Sequence, residues 1–134
     1  EINNMLETLK KNDADLVFAS RYEINCSSED DTLITKIGNF IFTKIGNVFF
    51  KLNISDILYT FVIGKTSKVK DLNLKSKDFV FCVELPIKAK RNNLKLITSK
   101  SNERARIGGQ KKPNAFKDGL RILNGMIKLF FKIL

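Results

Sequence analysis

Two carboxylates stand out in the 134-residue sequence because their surroundings favour a chemical role. Glu84 interrupts the apolar run 79–85, and such a carboxylate has to be paired, protonated or functional because an isolated buried charge is unstable. A helix position that faces solvent is the alternative for Glu84. Asp56 is the weaker candidate, since Ser55 and Asp56 before an apolar run also suit a turn or a helix cap. Either carboxylate could orient a substrate or act as a general base.

The loop at 106–112 is the better candidate for binding an anion. Gly108 and Gly109 permit a tight backbone turn, Arg106 can grip a phosphate with its planar guanidinium, and Lys112 can do so as a point charge. The spacing is not that of a P-loop. The loop therefore indicates a phosphate or anion site without naming the ligand.

The sequence contains no histidine, which excludes Ser–His and Cys–His nucleophiles, a histidine general base and any histidine-ligated zinc or haem site. Its two cysteines, Cys26 and Cys82, are too few for a disulfide scaffold or a cysteine-rich metal site. They suggest reduced thiols in a cytosolic protein. Hydrophobic residues make up 43% of the chain, which is enough to pack the core of one domain.

The positive charge is concentrated in the last third of the chain. Residues 1–87 contain 11 basic and 12 acidic side chains, whereas residues 88–134 contain 13 basic and 2 acidic ones. The formal net charge of +10 therefore comes from the later segment. This asymmetry predicts a surface that meets the phosphates of a nucleic acid, a lipid bilayer or a nucleotide. A lysine-rich surface that only solubilises the protein is the alternative.

Hydrophobic periodicity predicts the elements that must position these residues. Apolar residues at helical spacing indicate helices, and short apolar or alternating runs indicate strands. The predicted helices are 2–11, 32–52 and a terminal helix from residue 115, and the strand-prone runs are 16–19, 57–63 and 94–97. Ser20 and Arg21 directly follow the first of these runs, at the end of a strand where open α/β sheets bind their ligands.

The terminal helix is amphipathic and basic. Arg121, Lys128 and Lys132 interrupt its apolar residues, so it does not have the composition of a membrane-spanning segment. Its pattern is that of an interfacial helix, with an apolar face towards a bilayer and a basic face towards anionic headgroups. Packing against the protein core is the alternative.

The sequence resembles family 2 glycosyltransferases, the group that includes dolichyl-phosphate mannosyltransferase and its bacterial polyprenyl-phosphate relatives. The segment DADLVFASRY at 13–22 is similar to their strand followed by Ser-Arg. The same order of motifs continues along nearly the whole chain. After a helix bearing Gly-Asn come Ile-Ser-Asp at 54–56, Glu-Leu at 84–85, Arg-x-x-Gly-x-x-Lys at 106–112 and FKDGLRIL at 116–123. No single motif is specific, but their order along the chain is.

The resemblance implies an α/β fold, namely the C-terminal portion of the GT-A nucleotide-diphospho-sugar transferase fold, with few strands, long amphipathic helices and an incomplete sheet. Residues 1–114 would form the C-terminal half of the catalytic domain and residues 115–134 the interfacial helix. The implied enzyme is a hexosyltransferase that moves a sugar from a nucleotide-sugar to a saccharide or to a lipid phosphate such as polyprenyl or dolichyl phosphate, as in cell-envelope polysaccharide synthesis. Its implied location is cytoplasmic, peripheral to the cytoplasmic face of the membrane.

The resemblance also assigns roles to individual residues. Asp56 and Glu84 match the catalytic carboxylates of the family. The matching phosphate-binding or donor-binding positions are Arg21, Arg106, Gly109 and Lys112, with Arg104 as an alternative phosphate ligand.

Two departures from the family pattern affect these assignments. Lys111 stands where the family usually has Ser, and residues 57–61 read Ile-Leu-Tyr-Thr-Phe where many members have Thr-Ser-Gly. Recognition of the acceptor near Asp56 is therefore left open.

Members of the family use a divalent metal, Mg²⁺ or Mn²⁺, held by an acidic motif that lies before the position matched by Glu1. Asp13 and Asp15 precede a strand instead of following one, so they do not qualify as that motif. We therefore expect no metal ligand in this chain. We also expect a fragment that is inactive alone, since it lacks the metal motif. Because its parallel sheet would have an unpaired edge, we expect weak stability, self-association or a requirement for the missing half.

A non-enzymatic module that binds nucleic acid is the alternative interpretation. The basic residues of 88–132 would contact phosphates, and Phe79 and Phe81 could stack on bases. This interpretation explains the charge, but it explains neither the carboxylates at positions 56 and 84 nor the apolar terminal helix.

Overall fold

The computed structural model describes residues 1–105, 107–108 and 114–134. It combines helices with a small mixed sheet, which confirms the α/β class. The elements in chain order are α1 (Ile2–Lys11), β1 (Leu16–Ser20), α2 (Leu33–Phe50), β2 (Val62–Gly64), α3 (Thr66–Lys70), α4 (Phe81–Arg91), β3 (Leu96–Lys100) and α5 (Ala115–Phe130).

The three strands lie in the order β2-β1-β3, with β1 at the centre. β1 pairs parallel with β3 and antiparallel with β2. Every residue of β1 is buried, as expected for a short apolar strand with both faces covered. The strand predicted at 16–19 is thus confirmed, with one parallel and one antiparallel neighbour.

Each face of the sheet has its own apolar core, because successive side chains of a strand point to opposite faces. Leu16 and Phe18 belong to the larger core, to which α4 and α5 also contribute buried side chains. Val17 and Ala19 belong to the smaller core, where they meet Met5 of α1. α5 is therefore part of the larger core through its buried face.

The three predicted helices are confirmed, with small changes at their ends. α2 begins after Thr32, whose side chain accepts a hydrogen bond from the backbone N–H of Thr35 and closes a capping box. The run 94–97 becomes strand β3 two residues later, at an edge of the three-stranded sheet as predicted. Across the part of the chain that the structure describes, no helix combines the length and the apolar character that crossing a membrane requires.

The strand-prone run 57–63 differs from its prediction, since only its end forms the three-residue strand β2. The backbone N–H of Ile57 donates to Thr43 Oγ1 (3.2 Å), and that of Leu58 donates to Asn39 Oδ1 (3.0 Å). Side chains of α2 therefore satisfy the backbone donors that a neighbouring strand would otherwise bind.

Candidate functional site

The carboxyl ends of β1 and β3 lie at the same edge of the sheet because the two strands are parallel. Arg21 follows β1 at this edge, and Glu103 follows β3 three residues after its end. β2 is antiparallel to β1, so the segment 56–61 that leads into β2 reaches the same edge. The topology therefore gathers side chains from three distant parts of the sequence.

Asp56 and Arg21 form a bidentate ion pair at this edge. Arg21 Nε lies 2.8 Å from Asp56 Oδ2 and Arg21 Nη2 lies 3.1 Å from Oδ1, while the Arg21 backbone N–H also donates to Oδ2 at 3.2 Å. Asn39 Nδ2 donates to Oδ1 at 2.8 Å from inside the protein. The fully buried Asp56 carboxylate thus accepts four hydrogen bonds, an arrangement that orients the guanidinium tightly.

Two more carboxylates share the Arg21 guanidinium. Glu103 Oε2 accepts from Nη1 at 2.9 Å, and Asp31 Oδ2 lies 3.7 Å from the same nitrogen. Glu103 is the most accessible of these partners, with 24% of its side chain exposed against 9% for Arg21. The exposed side of the ion pair is therefore the side occupied by Glu103.

The guanidinium of Arg21 also contacts two aromatic rings. Its Cζ atom lies 4.5 Å from the centroid of the Tyr59 ring and 5.4 Å from that of Tyr22. Burial lowers the pKa of Arg21, but the hydrogen bonds and charges of Asp56, together with Glu103, outweigh it, so the pKa is raised above its ordinary value. Arg21 therefore stays cationic whatever binds beside it.

A ladder of polar side chains on α2 holds the Asp56 segment in place. Asn39, Thr43 and Asn47 are spaced four residues apart, so they lie on one face of the helix. Asn39 and Thr43 make the contacts with residues 56–58 described above. Asn47 exchanges a pair of hydrogen bonds with Ile54, donating to its carbonyl at 2.8 Å and accepting from its N–H at 3.1 Å. The ladder fixes residues 54–58 against α2 without a strand partner.

Glu84 occupies a different environment, inside helix α4. Its two carboxylate oxygens accept from the backbone N–H groups of Lys75 (2.9 Å) and Ser76 (2.8 Å), and Lys88 Nζ lies 2.7 Å away. Burial raises its pKa, but the bond to Lys88 and the two backbone donors prevail and lower the pKa to about 2. Of the alternatives for Glu84, the structure shows the paired carboxylate and not a solvent-facing helix position. Its bonds fasten residues 75–76 to α4, and none of these partners belongs to the Arg21 site.

An open cleft of about 610 Å³ borders the Arg21 site, within the usual size range of ligand pockets. Tyr59, Phe61 and Asn102 line it together with Glu103, the accessible partner of Arg21. The exposed Arg104 also lines this cleft, so the alternative phosphate ligand stands at its border. Glu1 lines the cleft as well, so a molecule there would meet an aromatic wall, the Arg104 cation and two carboxylates, those of Glu1 and Glu103.

The predicted anion-binding residues Arg106, Gly109 and Lys112 lie outside the described residues. The chain that leads to them is fixed beside the Arg21 site. The backbone of Glu103 donates to Ser27 at 3.0 Å and accepts from Glu29 at 3.0 Å. The loop 106–112 therefore begins three residues after a direct partner of Arg21.

The described residues do not fit a divalent metal. No group of three or more acidic or cysteine side chains among residues 1–105, 107–108 and 114–134 is arranged to hold one. The three carboxylates around Arg21, on Asp31, Asp56 and Glu103, share its charge instead. We therefore route no chemical step through a metal held by these residues.

Sequence reasoning did not find Glu103, Asp31, Asn39 or Tyr59 as members of the site. Two signals were present. Glu103 follows a predicted strand as Arg21 follows another, and Asn39, Thr43 and Asn47 recur at an interval of four residues on a helix that is otherwise largely apolar.

The geometry thus brings together Arg21 and Asp56, holds Arg104 at the adjoining cleft and keeps Glu84 in a separate network. The chain matches no protein-family model, no curated protein and no solved structure.

Proposed function

We propose that this chain is the C-terminal half of a family 2 glycosyltransferase-like catalytic domain with a GT-A fold. The enzyme transfers a sugar from a nucleotide-sugar to a saccharide or a polyprenyl or dolichyl phosphate, at the cytoplasmic face of the membrane. The observation that supports this most is the Arg21–Asp56 pair at the carboxyl edge of the parallel strands, beside an open cleft. That edge is where open α/β sheets bind ligands.

Sugar transfer breaks the bond between the anomeric carbon and the diphosphate oxygen, and the electron pair leaves with the nucleoside diphosphate. The new bond joins the same carbon to an acceptor oxygen. A lipid phosphate is already ionised, so its oxygen can attack without a general base, in agreement with a chain that has no histidine. Positive charge near the departing diphosphate stabilises the transition state.

Arg21 is the described cation best placed for this task. Asp56 occupies Nε and Nη2, which fixes the orientation of the guanidinium, while Nη1 is held by the more accessible Glu103. A phosphate oxygen that replaces Glu103 at Nη1 would bind Arg21 without disturbing Asp56. Arg104, and Arg106 and Lys112 of the adjoining loop, supply further charge in this proposal.

Asp56 acts in this proposal as a positioning residue. All of its hydrogen bonds go to Arg21 and Asn39, so its oxygens are committed to holding the cation. Glu84 is likewise committed to the backbone of residues 75–76. A hydroxyl acceptor would need a general base, which makes the lipid phosphate the better-supported acceptor.

The proposal places the nucleotide-binding half and its acidic metal-binding motif in polypeptide outside these residues, as the resemblance implies. When bound there, Mg²⁺ or Mn²⁺ would neutralise charge on the diphosphate. We expect an in-frame Asp-x-Asp motif in the coding sequence upstream of Glu1.

The test is a transfer assay on the full-length gene product, with UDP-glucose or GDP-mannose as donor and undecaprenyl or dolichyl phosphate as acceptor. We expect release of nucleoside diphosphate that depends on Mg²⁺ or Mn²⁺. Arg21→Lys keeps the charge but loses the planar guanidinium, so we expect transfer to fall by about a hundredfold. The matched control is Arg91→Lys, at the far end of α4, with unchanged transfer. Absence of transfer with all four donor–acceptor combinations contradicts the proposal. Full activity of Arg21→Lys contradicts it as well.

One observation favours the second candidate, a nucleic-acid-binding module. The exposed ring of Phe79 borders a cleft of about 540 Å³ and gives it a stacking surface. Two cations, Lys77 and Arg121, and two carboxylates, Asp78 and Asp118, also line this cleft. Salt-dependent binding to random-sequence oligonucleotides, with no release of nucleoside diphosphate from a sugar donor, supports this candidate over the transferase.

A further inference from the structure

Helix α2 has an apolar face that the rest of the protein does not cover. One face carries the polar ladder and packs against the protein, while the opposite face is exposed and largely apolar. Phe40 and Val48 on that face expose 63% and 67% of their surface. The exposed apolar residues of α2 are Leu33, Ile34, Ile37, Phe40, Ile41, Val48 and Phe49. A contiguous exposed apolar face of this kind marks an interaction site.

Helix α5 continues this exposed surface. Its buried face packs in the core, but a second apolar stripe that includes Phe116, Leu120, Leu123, Ile127 and Phe130 stays exposed. The two helices meet at an apolar groove of about 250 Å³. There the ring of Phe130 packs edge-on against Phe49 and Phe50, with centroids 6.0 and 6.1 Å apart. The exposed faces of α2 and α5 therefore form one apolar surface, which we call the α2–α5 surface.

The charges around the α2–α5 surface are almost all positive. α2 contains Lys36 and Lys44 and no acidic residue. The α5 segment 115–134 contains four basic residues and a single acidic one, Asp118, which pairs with Arg121. Lys44 Nζ lies 5.6 Å from the centroid of the Phe40 ring, so the amphipathic lysine lies over the apolar surface. An occupant that complements this surface has an apolar interior and a negative border.

We infer that the α2–α5 surface docks the protein on an anionic lipid bilayer, with α2 as well as α5 lying in the interface. A bilayer with anionic headgroups offers both an apolar interior and negative charge. A second copy fits less well, because a symmetric contact of this surface would bring like charges together with no acidic residue of α2 to pair them. The inference deepens the membrane location in the proposed function and rests on that part of it alone.

The test measures co-sedimentation of the full-length protein with vesicles of phosphatidylcholine alone or with about one-third phosphatidylglycerol. We expect binding to the anionic vesicles that weakens as salt is raised. Ile37→Asp places a charge in the middle of the α2 face, and we expect binding about tenfold weaker. The matched control is Ile24→Asp, an isoleucine of the 23–31 loop that is more exposed than Ile37 (79% against 52%), with binding unchanged. Circular dichroism of each variant establishes that it is folded.

A further variant separates the charge from the apolar contact. Lys128→Gln/Lys132→Gln removes two cations of α5, and we expect it to lose the preference for anionic vesicles. Equal binding of Ile37→Asp and wild type overturns the inference. So does a stable dimer in solution that Ile37→Asp dissociates and that does not bind vesicles, or binding to oligonucleotides without binding to vesicles.

Vesicle binding requires no sugar donor, so the transferase proposal and the docking-surface proposal can be tested independently. Intact vesicle binding without any sugar transfer contradicts the transferase and supports the docking surface. Sugar transfer to lipid phosphate dispersed in detergent, without vesicle binding, supports the transferase and overturns the docking surface.

Discussion

Asp56 and Glu84 are both fully buried carboxylates paired with a cation, yet their surroundings differ in one respect. Asp56 is bound by side chains distant in sequence, Arg21 from the end of β1 and Asn39 from α2. Glu84 is bound by the backbone of residues 75–76 and by Lys88 one turn along its own helix. The first network joins three elements beside a cleft, while the second fastens a loop to the helix that follows it.

The difference shows why burial of a carboxylate does not by itself indicate catalysis. A carboxylate that binds local backbone N–H groups supplies the hydrogen-bond acceptors that a segment outside helices and strands otherwise lacks. A carboxylate that orients a cation next to a cleft can affect what binds there. We therefore expect Glu84 to control stability and Asp56 to control both stability and activity.

The largest effect should come from removing the Glu84 side chain. Glu84→Ala leaves the part-buried N–H groups of Lys75 and Ser76 without their acceptor and removes the carboxylate that pairs with Lys88, and we expect the free energy of unfolding to fall by about 3–5 kcal/mol. Urea denaturation measures this loss. The control Glu7→Ala, at an exposed position of α1, should stay within about 0.5 kcal/mol of wild type. A loss that small for Glu84→Ala would remove the distinction between the two carboxylates.

Substitution by the matching amide sharpens the comparison. Asp56→Asn keeps the shape of the side chain but removes the charge that orients Arg21. We expect the free energy of unfolding to fall by about 2–3 kcal/mol. We also expect the rate of sugar transfer per folded molecule to fall by about tenfold. Glu84→Gln should lose stability while the transfer rate per folded molecule stays unchanged. Measuring both quantities on both variants distinguishes the two roles, and equal transfer by the two variants would contradict the comparison.

Acidic pH should act on the Glu84 network in a defined direction. Folding lowers the pKa of Glu84 from 4.5 to about 2, so the unfolded chain binds the proton more readily as the pH falls. The stability contributed by Glu84 is complete above its unfolded pKa and is lost as the pH falls towards its folded pKa, with about 2 kcal/mol gone by about pH 3. Urea midpoints of wild type and Glu84→Gln should therefore converge in acid. Parallel curves would show that Glu84 keeps an ordinary pKa.

The smallest effect concerns the support of Asp56. Gly38 precedes Asn39 within α2, and a Cβ atom added there meets nothing within 4 Å. Gly38→Ala should therefore raise the free energy of unfolding by about 0.5–1 kcal/mol through helix propensity, with sugar transfer unchanged. At Gly46, a Cβ would approach Ile57 Cδ1 to 2.9 Å, so Gly46→Ala serves as the contrasting variant without a gain in stability.

The local elements could be predicted from the sequence because their periodicity is strong. The helices at 2–11 and 32–52 and the terminal helix follow from apolar spacing, and the buried strand at 16–19 follows from its run of apolar residues. The run 57–63 could not be predicted correctly, because α2 side chains, distant in sequence, bind its backbone.

The site could be predicted only in part. The position of Arg21 after a strand and the importance of Asp56 could both be inferred, but their pairing could not, since they are 35 residues apart. Glu103 depends on the parallel register of β1 and β3, which periodicity does not specify. For Glu84, the apolar neighbours show that the carboxylate needs a partner, but they do not show that the partners are backbone N–H groups.

The ladder of Asn39, Thr43 and Asn47 links the segment 54–58 to helix α2, whose opposite face belongs to the α2–α5 surface. Its hydrogen bonds clamp residues 54–58 on one side, and the opposite side is the apolar exterior of α2. A tilt or slide of the helix on adsorption would carry Asp56, and with it the guanidinium of Arg21, in the same direction. If the α2–α5 surface docks on lipid as we infer, lateral pressure in the surrounding lipid layer would act mechanically on the Arg21–Asp56 pair beside the cleft.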